Sequence, residues 1–496
     1  MSARASRLIA VTTLAMLSST AALSAELSSQ DQAKLIKNVD AYASRMSEVA
    51  LQIWSAPELG YLETETSALL QSELKAAGFT IETGVAGMPT AFVARAGTRE
   101  GPVIALLAEI DALPGLSQAA TPERKPIPNQ DAGHGCGHHL FGAGAVAAAI
   151  AVKSWLEETG TKAQIRVYGT PAEEGGGGKG YMVRAGLFND VDATFYWHPG
   201  DANNASQDRN LAITSAKFRF HGQPAHAAAA PDRGRSALDG VEAMNFMVNY
   251  MREHVPQEVR IHYIITNGGA APNIVPEFAE SYYYVRHPDP QVVADVFERV
   301  KKAAEGAALG TGTTFDYEMI SGDYSILPND VLGRLMDSNL RRVGAPKWTD
   351  EEMAFAERLA KTLPGRNLPP LARAGEIDRY QFNTQRYAST DSGNVSWVTP
   401  LASLRTATWV PGTAAHSWQA TAAGGMSIGL KGAVVAAKTL ALTVAQISKS
   451  PELIAAAKAE FDKSRGPGFV YKSLIGDRSP PLDYRKASSA GAADPG

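Results

Sequence analysis

The stretch Gly133-His134-Gly135-Cys136-Gly137-His138-His139 places three histidines and the only cysteine of the 496-residue chain within six positions. Its glycines leave the backbone free to turn those side chains onto one centre. A thiolate beside imidazoles is a donor set for a divalent zinc, manganese or cobalt ion. Working outward, Pro171-Ala172-Glu173-Glu174 and Trp197-His198-Pro199 offer carboxylates and a further imidazole. Gly412-Thr413-Ala414-Ala415-His416 adds a last histidine far down the chain. Each piece has a plainer reading alone: a polar loop for the histidines, a helix N-terminus for the Glu pair. Jointly they hold the lone cysteine and, with His226, six of the ten histidines. Ligands so scattered meet only if a fold gathers them, and the chain reads as a metal-centre enzyme.

The N-terminus reads as an export signal. Arg4 and Arg7 precede a largely apolar run from Leu8 to Leu17, and small residues up to Ala25 offer a cleavage site. The run is too short and interrupted for a membrane span, and no later stretch is expected to be one. Removing residues 1–25 takes away two arginines and no acids, moving the formal charge from −4 to −6. That mild acidity gives no reason to expect nucleic acid or a membrane as partner. The expected location is periplasmic or secreted. One cysteine cannot form an intramolecular disulfide, and a free thiol outside the cytosol is an oxidation hazard unless buried or metal-bound. This favours a ligand role for Cys136.

Hydrophobic periodicity predicts an α/β protein. Helices are expected at 28–55 and 64–77, with short apolar strands at 90–96 and 102–107. The second strand runs into Glu109-Ile110-Asp111-Ala112-Leu113-Pro114, putting carboxylates where open α/β sheets place their sites. An alanine-rich helix is expected over 141–155, and strands over 164–168 and 193–197, each delivering a motif at its end. Gly175 to Gly178 could be taken for a phosphate loop, but Lys179 is followed by Gly180 rather than Ser or Thr. They read instead as slack that lets the Glu pair approach a metal. Residues 212–320 then spell β-α-β-β-α-β, the ferredoxin-like order. The expected division is a leader at 1–25, a catalytic domain at 26–211 and 322–450, an inserted dimerisation or lid domain at 212–321, and a C-terminal helix with a loose tail at 451–496. Segment 345–388 reads as a surface elaboration, and 428–447 as an apolar helix closing the core.

A metal pair with a neighbouring carboxylate base is a general device for amide hydrolysis. At this point the chain resembles the metallo-aminoacylase and glutamate-carboxypeptidase family, in its amidohydrolase branch with a Cys ligand. The resemblance rests on Glu109-x-Asp111-Ala-Leu-Pro114, Gly133-His-Gly-Cys-Gly-His138, Pro171-Ala-Glu-Glu174, Trp197-His198-Pro199, and Gly222-x-x-Ala225-His226-Ala227. Pro272-Asn273-x-Val-Pro276, Asp391 in Ser-Thr-Asp-Ser-Gly, and Gly412-x-x-x-His416 complete it, from about residue 30 to 450. It implies a dinuclear-metal catalytic domain carrying the inserted unit. It further implies that Cys136, His138, Glu174, His198 and His416 bind two divalent ions (Mn, Zn or Co). Glu173 would be the general base and Asp111 would orient the metal ligands from behind. His226 would support the oxyanion, while Asn273 and Arg286 would meet the substrate. The implied reaction cleaves the amide between an aminobenzoyl, acyl or aminoacyl group and an amino acid. A homodimer is implied, with or without a related second subunit, and His226 would serve the neighbouring subunit's metals.

One departure is His139, where Asn or Asp is expected, which adds an imidazole as spare ligand, supporting donor or spacer. Two other readings stay open. A cysteine hydrolase would use Cys136 with His134 or His138 and need no metal. A non-catalytic metal- or peptide-binding protein would keep the ligands but has no need of Glu173.

Overall fold

The computed structural model describes residues 26–485. The expected leader, and the tail from residue 486, lie outside the described residues. A six-stranded sheet runs in the order Thr80–Thr83, Phe92–Gly97, Gln164–Thr170, Val103–Glu109, Ala193–Gly200, Leu401–Ala407. The last four strands are mutually parallel, and the first two join antiparallel at one edge. Every residue of Val103–Glu109 and of Gln164–Thr170 is buried, as two-sided cover of parallel strands requires. The register pairs Glu109 with Thr170 and Leu106 with Phe195. Glu109, the segment after Thr170, and His198 therefore emerge at the same, C-terminal end of the parallel strands.

Helices Ser29–Ser55, His138–Thr159 and Ser427–Ser448 pack on one another beside the sheet. The last two are long and apolar enough to cross a membrane, contrary to the expectation that no later stretch would be. Both are instead mostly buried in the core, where a helix apolar all round also belongs. Ser28 caps the first helix, its Oγ accepting from Asp31 N at 3.0 Å.

The second sheet has the order Thr314–Asp323, Ala212–His221, Phe278–His287, Arg260–Asn267, all antiparallel. Helices Ala237–Met251 and Pro290–Thr311 pack on it around a separate core that includes Phe218, Phe220, Tyr283 and Phe297. Strand Arg260–Asn267 is a free edge with Ile264 and Ile265 exposed, and the neighbouring helix exposes Phe246 and Tyr250.

Several expected elements change in extent. The strand expected at 102–107 continues to Glu109, and the helix expected from 141 begins at His138. His198 lies inside its strand rather than after it. The strand Thr80–Thr83 was not expected, since its exposed edge leaves no hydrophobic alternation to read. Segment 345–388 is more than surface loop: helix Asp350–Ala360 packs Phe355, Ala356 and Leu359 against Trp409, Val410 and Ile428. The tail expected from Ser479 is ordered through residue 485. Residues 466–485 run back over the catalytic domain, where Tyr324 Oη donates to Lys472 O at 2.8 Å and Arg184 Nη1 to Gly476 O at 2.6 Å. For residues 479–485 composition misled because Tyr484 and Arg485 anchor the segment by donating to Glu174 O.

Candidate metal centre

The histidine loop reaches its helix through Gly137, at φ 78°. A Cβ there would also lie 2.7 Å from Pro199, so glycine is required both for the turn and for the close approach to the His198 strand. His138 then sits on the first helical turn, fully buried. Its Nδ1 faces Asp111 O and Oδ1, each at 3.0 Å, and Asp111 Oδ2 accepts from Glu174 N at 2.9 Å. Asp111 thus ties the imidazole of His138 to the backbone of the Glu pair, which fixes the ring's orientation.

Seven residues meet at this end of the sheet. Cys136, His138 and His198 form one group whose ligand atoms lie within 4.8 Å of one another, and Cys136, Glu174 and His416 form a second. Cys136 Sγ is 3.6 Å from His198 Nε2, and His416 Nε2 is 3.2 Å from Glu174 Oε1. His198 Nδ1 is occupied by Pro199 O at 2.7 Å, which turns Nε2 toward the thiol. A third group, Glu109, His138 and Glu173, adds two carboxylates. Buried Glu109 Oε2, His138 Nε2 and Glu174 Oε1 have no hydrogen-bond partner. Unpaired buried donors and acceptors are costly, and three converging on one space fit divalent ions.

Two residues of the site hold strained backbone. Ala172, immediately before the Glu pair, has φ 57°, and His416 itself has φ 59°. The Ala172 turn is held by Glu63, whose Oε1 accepts from Ala172 N and whose Oε2 accepts from Thr90 Oγ1, each at 2.8 Å. Burial, then the nearby Asp111, raise the Glu63 carboxyl to about 8. The glycines after the pair are a packed turn rather than slack. Gly176 N and Gly177 N both donate to Ala172 O, and a Cβ on Gly178 would lie 2.1 Å from Pro171 O. From the far side, Tyr484 Oη and Arg485 Nη2 donate to Glu174 O at 3.1 and 2.5 Å.

Beneath the centre lies Lys179, fully buried, with Nζ 2.8 Å from Glu109 Oε1 and 2.6 Å from Asp391 Oδ1. Its own N donates to Asp391 Oδ2 at 2.9 Å. Burial, then Glu109 and Glu174, push the Glu173 carboxyl well above its ordinary range, and Lys179 opposes them. Burial pulls His138 down, but Cys136, Glu109 and Asp111 hold it well above its usual value. Burial and the Glu174 carboxylate push the Cys136 thiol up. A nucleophilic cysteine needs the opposite shift, which counts against the cysteine-hydrolase reading. The ring nitrogens of His134 form no hydrogen bond with Cys136 either.

His139 takes the spacer role. Its Nε2 meets Gly424 O at 3.0 Å, its ring packs 4.9 Å from that of His134, and burial lowers its pKa to about 3. It belongs to no ligand group among the described residues.

The three residues on the inserted domain are not joined to this centre by any hydrogen bond or ion pair among the described residues. His226 is exposed, its Nδ1 accepting from Ala228 N and Ala229 N at 3.3 and 3.0 Å. Exposed Asn273 shares its carbonyl with Ala227 N at 3.0 Å, stitching two loops together. Arg286 is half-buried with its guanidinium 5.3 Å from the Tyr284 ring centre and Nε unpartnered. Sequence reasoning named no task for Glu109, Lys179, Glu63, Tyr484 or Arg485. A buried-strand carboxylate, Glu109, was the one visible signal.

A family profile described as Peptidase family M20/M25/M40 matches residues 105–369. The chain is 41% identical over 434 residues to the B component of p-aminobenzoyl-glutamate hydrolase from Escherichia coli strain K12, covering 82% of this chain and 90% of that protein. It is 32% identical over 440 residues to the Xaa-Arg dipeptidase of Mus musculus, covering 86% and 90%. Among solved structures, the aminobenzoyl-glutamate utilization protein from Klebsiella pneumoniae shares the fold with a TM-score of 0.59 at 18% identity, covering 83% of this chain and 97% of that one.

Proposed function

The chain belongs to peptidase family M20/M25/M40, and on that premise we propose that it hydrolyses the amide between an aminobenzoyl or other acyl group and an amino acid, glutamate first among them. The observation that carries this reading is the convergence of two ligand groups, sharing Cys136, beside Glu173, which belongs to neither of them. One divalent ion would be held by Cys136, His138 and His198, the other by Cys136, Glu174 and His416, with manganese, zinc or cobalt as candidates. Such ions supply an activated water and a polarised carbonyl. Glu173 takes the water's proton and hands it to the leaving amine nitrogen. Asp111 keeps His138 in one tautomer and holds the Glu174 backbone, so both ligands stay aimed.

The inserted domain supplies the substrate contacts. Asn273 and Arg286 would meet the amino-acid carboxylate, and His226, free at Nε2, would support the developing oxyanion. Its exposure favours action on a neighbouring subunit's site, in a homodimer joined through the Arg260–Asn267 edge and the exposed Ile264, Phe246 and Tyr250. A related second subunit is an alternative partner, since the A component of the Escherichia coli hydrolase is also similar, 29% identical over 242 residues. A dipeptidase activity is the second reading, favoured by the likeness to the mouse enzyme. We place the protein outside the cytosol on the strength of Arg4, Arg7 and the apolar run after them.

The test is a hydrolysis panel of aminobenzoyl-glutamate, N-acyl amino acids and Xaa-Arg dipeptides on metal-loaded protein. Preference for aminobenzoyl-glutamate is expected. Preference for the dipeptides would move the assignment to the second reading, and no turnover of any amide would reject it.

A further inference from the structure

Glu174 is held at both ends of its own backbone. Its N–H donates to Asp111 Oδ2 at 2.9 Å. Its carbonyl accepts twice from the C-terminal segment, from Tyr484 Oη at 3.1 Å and from Arg485 Nη2 at 2.5 Å. These two side chains form one unit, the guanidinium lying 4.9 Å from the Tyr484 ring centre. Tyr484 is seated in turn. Its ring meets that of Tyr61 edge-on at 5.7 Å, and Gly60 leaves room for the hydroxyl, since a Cβ there would lie 2.4 Å from Tyr484 Oη. The turn that carries the Glu pair needs such support. It enters through Ala172 at φ 57° and leaves through Gly175 at φ 96°, so left-handed backbone flanks the pair on both sides. Donors near the turn serve its other carbonyls: Gly176 N and Gly177 N serve Ala172 O, Gly175 N serves Glu173 O, and Tyr61 Oη serves Gly176 O. Among the described residues, Glu174 O is served by the C-terminal segment alone.

We propose that Tyr484 and Arg485 are positioning residues for one metal position, that of Cys136, Glu174 and His416. By holding the Glu174 carbonyl they fix the peptide from which its side chain projects, and so keep Oε1 in place 3.2 Å from His416 Nε2. Groups behind a ligand set metal affinity because the ligand is already aimed when the ion arrives. No hydrogen bond joins the two residues to Cys136, His138 or His198 among the described residues, so their effect falls on one of the two positions. The inference rests on the dinuclear reading above and deepens it, making the end of the described chain a working part of the site.

The test is the full chain with Tyr484→Phe and Arg485→Met together, loaded with cobalt. Both substitutions remove the donors and keep the ring and the aliphatic stem, so the packing on Tyr61 is retained. Chelator competition should show one of two cobalt equivalents weakened about ten- to hundredfold, with the other unchanged and the visible cobalt bands shifted. Tyr484→Phe with Arg485→Lys, whose ammonium can still donate to Glu174 O, should recover most of the lost affinity. Tyr484→Phe alone, which removes a single oxygen, should give the same selective loss to a smaller degree, and it keeps the test available if the double variant fails to fold. Unchanged affinities and an unchanged spectrum would overturn the proposal and leave the segment as a cover. Equal loss from both equivalents would assign it a general structural role and equally overturn it. A wild-type chain that takes up no cobalt would reject the dinuclear reading and this inference with it, a failure seen before any substitution is made.

Discussion

Replacing Lys179 with Met tests whether the buried cation holds the floor of the site. The ammonium is fully buried and contacts Glu109 Oε1 and Asp391 Oδ1 at 2.8 and 2.6 Å. Without it, two buried carboxylates remain, with only backbone N–H and hydroxyl donors in place of a full charge. Removing one partner from a buried ion pair costs about 3–5 kcal/mol, a large part of the roughly 5–15 kcal/mol that holds a domain folded. Urea unfolding of the metal-free chain, followed through the buried Trp155 and Trp197, should show that deficit at pH 8. The sign with pH follows from the carboxylates. Burial already raises Asp391 above its ordinary value, while Lys179 helps hold Glu109 below its own, so losing Lys179 raises both acids in the folded state. An acid with a raised folded pKa costs stability as pH rises above its unfolded value, so the deficit should shrink toward pH 5. A deficit below about 1 kcal/mol at pH 8, or one independent of pH, would refute the reasoning.

Three further outcomes are expected. Glu173→Gln should keep its metals and lose about two to four orders of magnitude in turnover, whereas Glu174→Gln should also lose metal affinity about tenfold or more; metal analysis beside kinetics separates them. Because burial and Glu174 hold the Cys136 thiol protonated in the metal-free chain and its neighbours hold His138 above its usual value, metal binding expels at least one proton, and chelator competition should show affinity rising about tenfold or more per pH unit between roughly pH 6 and 8, with a flat profile contradicting a thiolate ligand. Mixing His226→Ala and Glu173→Ala chains under subunit exchange should restore about a quarter of wild-type activity if His226 acts across a dimer, since about half the dimers are mixed and each then has one intact site; no recovery despite exchange would place His226 in its own subunit's site.

The loops that the fold brings together were legible as candidates because each motif is short and its residue types are rare: one cysteine and few histidines leave little room for coincidence. The strand ends that gather them were legible from apolar runs breaking at Glu109, after Tyr168 and after Trp197. The supporting network was not. Lys179 meets partners 70 and 212 positions away, and nothing local distinguishes a buried lysine in a glycine turn from an exposed one. Glu63 lies in a loop with no motif, and its task depends on the strained Ala172 turn more than a hundred residues on. The Tyr484 and Arg485 contacts were hidden by a composition that resembles a disordered tail, because two anchoring side chains barely change an average. His139 drew notice as an additional imidazole near the metals, yet its position in the helix turns it toward Gly424.

The most direct measurement is activity against bound metal on one preparation. The chain is stripped by chelation, verified metal-free, and titrated with manganese, zinc or cobalt while amide hydrolysis is followed. Activity should be absent at the start and reach its plateau near two equivalents per subunit. Full hydrolysis by the verified metal-free chain would contradict the central claim.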